Sequence, residues 1–202
     1  MRPAKTSTRL IIGLSAALLT LAGCGSDPAD GSAPDPQEES SAGSFLPANT
    51  VAASGCSSSG LLRATLYGAL NSELAWSGDG LDCEGMPRPE GRGARLRFAG
   101  DHGESRIAII ISVPDLARAE TVRELPSNVT VIEEGIGRFF STGDLDSCWT
   151  DIDSHEAISE TSGRHTIAGT LYCIAPVAEI NGSKSVSIDE LHFSGVVDWG
   201  SS

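Results

Sequence analysis

Two stretches near the end of the chain, "SCWTDIDSHEAI" and "RHTIAGTLYCIA", separated only by "SETSG", constrain the fold more than any other feature. Each carries one cysteine next to one large aromatic residue. Folding the chain back at Glu160 and Thr161 brings Cys148 opposite Cys173, Trp149 opposite Tyr172, Thr150 opposite Leu171 and His165 opposite Glu156. An aromatic cross-strand pair beside a bridge is what the edge of a two-stranded core uses. The segment therefore predicts a β-hairpin.

The rest of the chain from about residue 60 has the same character. "GARLRFAG" alternates strictly, with Leu96 and Phe98 on one face and Arg95 and Arg97 on the other, the period of a half-buried strand. "SRIAIIISV" is a β-branched run suited to a strand buried on both faces. "NVTVIEEG" and "GRFFSTG" follow with glycines between them, and "KSVSIDELHFSGVVDW" closes the chain as two strands or one bent strand. "LLRATLYGALNSELAW" reads as strand because Gly68 interrupts it and "ATLYGAL" echoes "GTLYCIA". One helix is expected, over "PDLARAETVREL", with Pro114 in its first turn, Leu116, Ala119, Val122 and Leu125 along one face and Pro126 as its stop. The expected class is all-β: an antiparallel β-sandwich with at most one short helix.

The first residues read as an address. Arg2, Lys5 and Arg9 precede an apolar run from Leu10 to Ala22, the length of a signal-peptide core and too short to span a bilayer. The run closes on Leu21-Ala22-Gly23-Cys24, which resembles the lipobox of bacterial lipoproteins. That resemblance implies cleavage before Cys24, a diacylglycerol on its sulfur and an acylated amine such as a palmitate-bearing one, hence a membrane anchor. Gly25 rather than Asp follows, which implies the outer membrane of a two-membraned cell. Residues 25–44 are nearly all Gly, Ser, Ala, Pro, Asp and Glu, too polar to offset the entropy of ordering. The expected organisation is a signal peptide over 1–23, a lipidated cysteine and tether over 24–49, and a single domain over 50–202. The tether would hold the domain on the order of 30 Å from the bilayer.

Four cysteines remain after Cys24, an even number that in an exported chain signals disulfides. Cys56–Cys83 and Cys148–Cys173 are the expected pairs. A four-cysteine zinc site is the rival, and the absence of any CxxC pair argues against it. The stretches "CEGMPRPEGRGARLRFAG" and "LPSNVTVIEEGIGRFFSTGDLDSCWTDI" are similar to those of exported bacterial lipoproteins, a likeness that implies no activity; the domain resembles no characterised family.

Cleavage removes three of the 14 Lys and Arg and none of the 27 Asp and Glu, which leaves a formal charge of −16. That charge excludes nucleic acid as a partner. No catalytic motif is complete. "GCSSSG" lacks the second glycine of a nucleophile elbow, and "HEAIS" has Ser159 where a zincin needs its second histidine. Three weaker constellations remain. Asp144, Asp146, Asp151 and Asp153 could gather oxygen ligands for calcium, although they lack EF-hand spacing. His155, His165 and Glu156 could bind zinc or copper, although a solvated His–Glu pair is the commoner outcome. Arg88, Arg92, Arg95, Arg97 and Arg106 gather guanidinium groups suited to carboxylate or phosphate, against the alternative that they neutralise neighbouring acid. The sequence thus leads to the expectation of a lipid-anchored, disulfide-stapled binding or structural module of the cell envelope. It needs no cofactor and is not an enzyme, and its partner is an acidic envelope protein or glycan. An exported hydrolase with a glycosidase-like carboxylate pair and a calcium-binding envelope protein are the alternatives.

Overall fold

Alternation sets which side chains each strand sends inward. In β4 (Ala94–His102) Leu96 and Phe98 are fully buried and Arg95 is exposed, as the sequence predicts. The computed structural model describes residues 55–56, 59–89 and 92–200. The expected signal peptide, Cys24 and the expected tether lie outside the described residues, and the described residues all belong to one unit, Asn49–Ser202.

The chain opens with β1 (Leu61–Gly68) and β2 (Ser72–Ser77), a hairpin whose turn starts at Gly68, where φ is +97°. Asn71 closes that turn by accepting from the Gly68 N–H and donating to its carbonyl. Next come β3 (Asp82–Pro87), β4, β5 (Ser105–Val113), β6 (Val122–Glu134) and β7 (Arg138–Ser141). The hairpin of β8 (Cys148–Ala157) and β9 (Arg164–Cys173) follows, then β10 (Val177–Glu179), β11 (Ser185–Ile188) and β12 (Leu191–Asp198).

These strands form one antiparallel sheet in the order β3-β4-β5-β6-β7-β10-β11-β1-β12-β9-β8, with β2 beside β1 and an additional β6–β8 pairing. β7 and β8 follow one another along β6, Ser141 opposite Thr130 and Cys148 opposite Ser127, with residues 142–147 looped out between them. β11 and β12 follow one another along β1 in the same manner. The sheet folds over so that β3 and β4 lie on β12. Phe98 and Phe193 meet between the layers with ring centroids 5.8 Å apart. At Gly85 the backbone of β3 comes so close to the Val196 carbonyl that a Cβ would collide with it. The class is therefore all-β, and its two layers belong to one continuous sheet rather than to two.

Three local expectations are corrected. The segment 114–125 is not helical: Ala119 and Glu124 have φ of 59° and 56°, Leu116 is fully buried in the core, and Val122 and Leu125 pair with β8. Strand β5 is wholly buried on one face and only partly on the other, where Ala108 is inaccessible. Ile107, Ile109 and Ile111 are inaccessible, while Ile110 and Ser112 are half-buried on the outer face. The hairpin register holds from Cys148–Cys173 to Ile152–Gly169, then slips at a bulge between Ile152 and Ser154. His165 consequently faces Ala157 instead of Glu156, which pairs with Thr166.

Both expected disulfides are present, Cys56–Cys83 and Cys148–Cys173, spanning 27 and 25 residues. A bridge closing a loop of that length contributes about 3 kcal/mol in the chain-entropy model. We expect the double substitution of Cys148 and Cys173 to alanine to lower the melting temperature of the domain by ~10 °C in a calorimetric scan. A shift within 2 °C would show that the hairpin register holds without the bridge.

Candidate functional site

The outer face of β3 to β7 carries a row of cross-strand neighbours: Met86 opposite Arg95, Arg95 opposite Ser112, and Ser112 opposite Asn128. Cross-strand partners project from the same face of a sheet, so the row lines one surface. It forms the floor of a groove of about 480 Å³. Thr130, Ser141 and Thr142 close one side, and Met86, Pro87, Arg88 and Pro89 form a largely apolar lip on the other.

The polar groups of the floor are ordered among themselves. Thr142 Oγ1 accepts from the Val129 N–H at 3.1 Å and donates to Asn128 Oδ1 at 3.1 Å, so the Asn128 amide turns its N–H groups away from that contact. Thr130 and Ser141 share a hydrogen bond of 3.1 Å. Arg95 and Ser112 have no partner among the described residues. None of the described lining residues is acidic.

The five arginines singled out in the sequence do not form one cluster. Arg97 donates to Glu134 at 2.6 Å. Arg106 pairs with Asp82, with Asp101 at 3.1 Å and with Glu134 at 3.2 Å. These two neutralise acid, in part-exposed pairs of the kind that contribute little. Arg92 donates to the Asp115 carbonyl at 3.0 Å and braces the turn between β3 and β4. Only Arg88 and Arg95 line the groove.

The four aspartates proposed for calcium are likewise separated by role. Asp151 and Asp153 both receive Arg123, at 2.9 and 3.0 Å. Asp151 also accepts the Glu124 N–H at 2.7 Å. That backbone bond, with Arg123 beside it, holds the Asp151 carboxyl below its usual range, the reverse of what a general acid needs. Asp144 accepts from the Asp146 N–H and the Ser147 hydroxyl, closing the loop before β8. Among the described residues no three His, Cys, Asp or Glu side chains converge as metal ligands would.

His155 and His165 do meet, but in the interior. They are 4 % and 3 % exposed, with ring centroids 5.1 Å apart. The sequence favours a solvated His–Glu pair over a metal site; the bulge beyond Ile152 and the covering residue Trp199, stacked on His155 at 5.7 Å, bury both histidines instead. Trp199 Nε1 donates to His155 Nε2 at 3.2 Å, so that ring carries its proton on Nδ1, which faces the Glu120 carbonyl at 3.3 Å. Arg118 Nε donates to His165 Nε2 at 2.9 Å, so this ring too is protonated at Nδ1, which is buried without a partner. Both are neutral rings whose Nε2 atoms are already occupied as acceptors, not open ligands. "HEAIS" begins on this strand and not on a helix.

Ser72 Oγ and His102 Nε2 lie 2.9 Å apart, a pair that the sequence did not signal. Ser72 is buried, and no described carboxylate orients the other ring nitrogen of His102. Catalytic serine–histidine pairs require such an orienting group. The groove itself was legible only in part. Arg88 and Arg95 were singled out, whereas Ser112, Asn128 and Thr142 were not, because their alignment depends on the pairing of four strands. Comparison with family models, with curated proteins and with solved structures finds no match to this chain.

Burial lowers the proton affinity of both histidines, reinforced for His155 by repulsion from His165 and for His165 by Arg118. Between the folded value and the ordinary 6.5 the unfolded chain binds more protons, so stability rises with pH there. It is complete above about 6.5 and declines as pH falls below it. We expect the melting temperature to drop between pH 7 and pH 5. His165→Gln, whose amide oxygen still accepts from Arg118, should flatten the curve; an unchanged slope would assign the effect to other groups.

Proposed function

We propose that this chain is a lipid-anchored binding module of the bacterial cell envelope, held through acyl chains on Cys24, whose groove takes an acidic envelope component. One observation carries the reading: in a mature chain of formal charge −16 the groove presents Arg88 and Arg95 and no described acid. The side chain of Arg95, which has no partner among the described residues, offers its guanidinium for a two-pronged bond to a carboxylate. The surrounding sheet supports it as a rigid platform. The sequence features of the lipobox support an outer-membrane position facing the periplasm or the surface. No paired carboxylates in the described site favour the hydrolase reading.

Two experiments test this. Replacing Arg95 by Gln should weaken retention of the anionic partner about tenfold in pull-downs from solubilised envelopes at low salt, a loss of ~1.4 kcal/mol. Arg97→Gln, the same change of charge at a residue already paired with Glu134, should have little effect. High salt should narrow the difference; equal recovery for both variants and the parent would remove the groove from consideration. For the anchor, Cys24→Ser should shift the protein to the soluble fraction or leave an uncleaved precursor. Processed mutant recovered fully with membranes would refute lipidation.

A further inference from the structure

We infer that the groove's ligand is a carboxylate-bearing glycan chain laid across the strands, an assignment that rests on the binding reading above. The spacing of the floor is the first reason. Arg95, Ser112 and Asn128 sit on adjacent strands. Such neighbours are about 4.8 Å apart, close to the advance of one sugar ring in an extended glycan and short of the roughly 6.8 Å between same-face side chains of an extended peptide.

The chemistry of the floor points the same way. Peptides commonly bind sheets by adding a strand to an open edge, but the floor strands β5 and β6 are paired on both sides. What the floor offers is side-chain polarity: a guanidinium for a carboxylate, then a hydroxyl and an amide for ring hydroxyls and oxygens. The Thr142 bonds fix the amide before any ligand arrives. Beyond Ser141, two residues along β7 and on the same face, Phe139 is 43 % exposed. An exposed ring next to a polar floor is a platform for the apolar face of a sugar. The lip residue Met86, also 43 % exposed, faces the opposite side of the groove.

The test uses the full lipidated protein in detergent micelles and isothermal titration with three probes: a hexagalacturonate, a hexaglutamate peptide and a neutral hexasaccharide. The uronate should bind at least tenfold more tightly than either of the others. Arg95→Gln should abolish that margin, and Phe139→Ala should weaken the uronate roughly fivefold without changing hexaglutamate. Equal affinities for uronate and hexaglutamate, both lost in Arg95→Gln, would overturn the glycan assignment and leave the anion-binding groove standing. Uronate binding that survives both substitutions would place the site elsewhere and overturn it too. If no probe binds, the glycan assignment fails, and the Arg95 pull-down alone decides whether the groove falls with it.

Discussion

Strand β6 is where the two layers of the sheet are joined, and the rest of the structure depends on its change of partners. Its first half, Val122–Ser127, pairs with β8, and its second half lies between β5 and β7. Within the first half the pairing with β8 slips in register between Val122 and Leu125, with Glu124 in a left-handed conformation, which costs a non-glycine residue on the order of 1 kcal/mol. Asp151 offsets it by accepting the freed Glu124 N–H and holding Arg123 beside it. A carboxylate that resembles a calcium ligand in the sequence is thus consumed in shaping the sheet.

The groove follows from that arrangement. Because the second half of β6 is paired on both edges, the outer side chains of β4, β5 and β6 align row by row, and their positions are set by backbone hydrogen bonds rather than by a mobile loop. Thr142, on the loop that separates β7 from β8, then pins Asn128. Little freedom of the Asn128 amide remains to be lost on binding there, and such preorganisation is what converts modest contacts into affinity. At the other end of the same face, the Arg97–Glu134–Arg106 network with Asp82 and Asp101 is already neutralised. One face therefore carries a closed charge network at one end and, at the other, the Arg95 guanidinium to which the register brings no described acid.

Sequence reading reached what depends on local period and on one hairpin. The alternation around Phe98 and the Cys148–Cys173 register were legible because they need one or two strands, and the Cys56–Cys83 bridge because that hairpin pair leaves only these two cysteines. It failed where a single residue of irregularity carries the result. The bulge beyond Ile152 shifts His165 by one position, and with Trp199 overhead the pair moves from a solvated surface to the interior. No local pattern marks that bulge. The groove required the order of β3 to β7 as well as their existence, and strand order is not encoded in alternation.

The non-helical course of residues 114–125 shows how such conflicts are resolved. Helix formers there differ from one another by only a few tenths of a kcal/mol per residue. Against that, burying Leu116 contributes about 2 kcal/mol, and each net tertiary hydrogen bond about 1 kcal/mol. An α-helix would have engaged its own carbonyls. Left open, they serve others: Asp115 accepts from Arg92, Leu116 from the Gly93 N–H, and Glu120 faces His155 Nδ1. Through the first two, this segment holds the turn that carries the groove's lip; through the third, together with Arg118 on His165, it closes over the buried histidines. The same chain segment thus braces the lip and seals the core, which a self-satisfied helix at this position would not do.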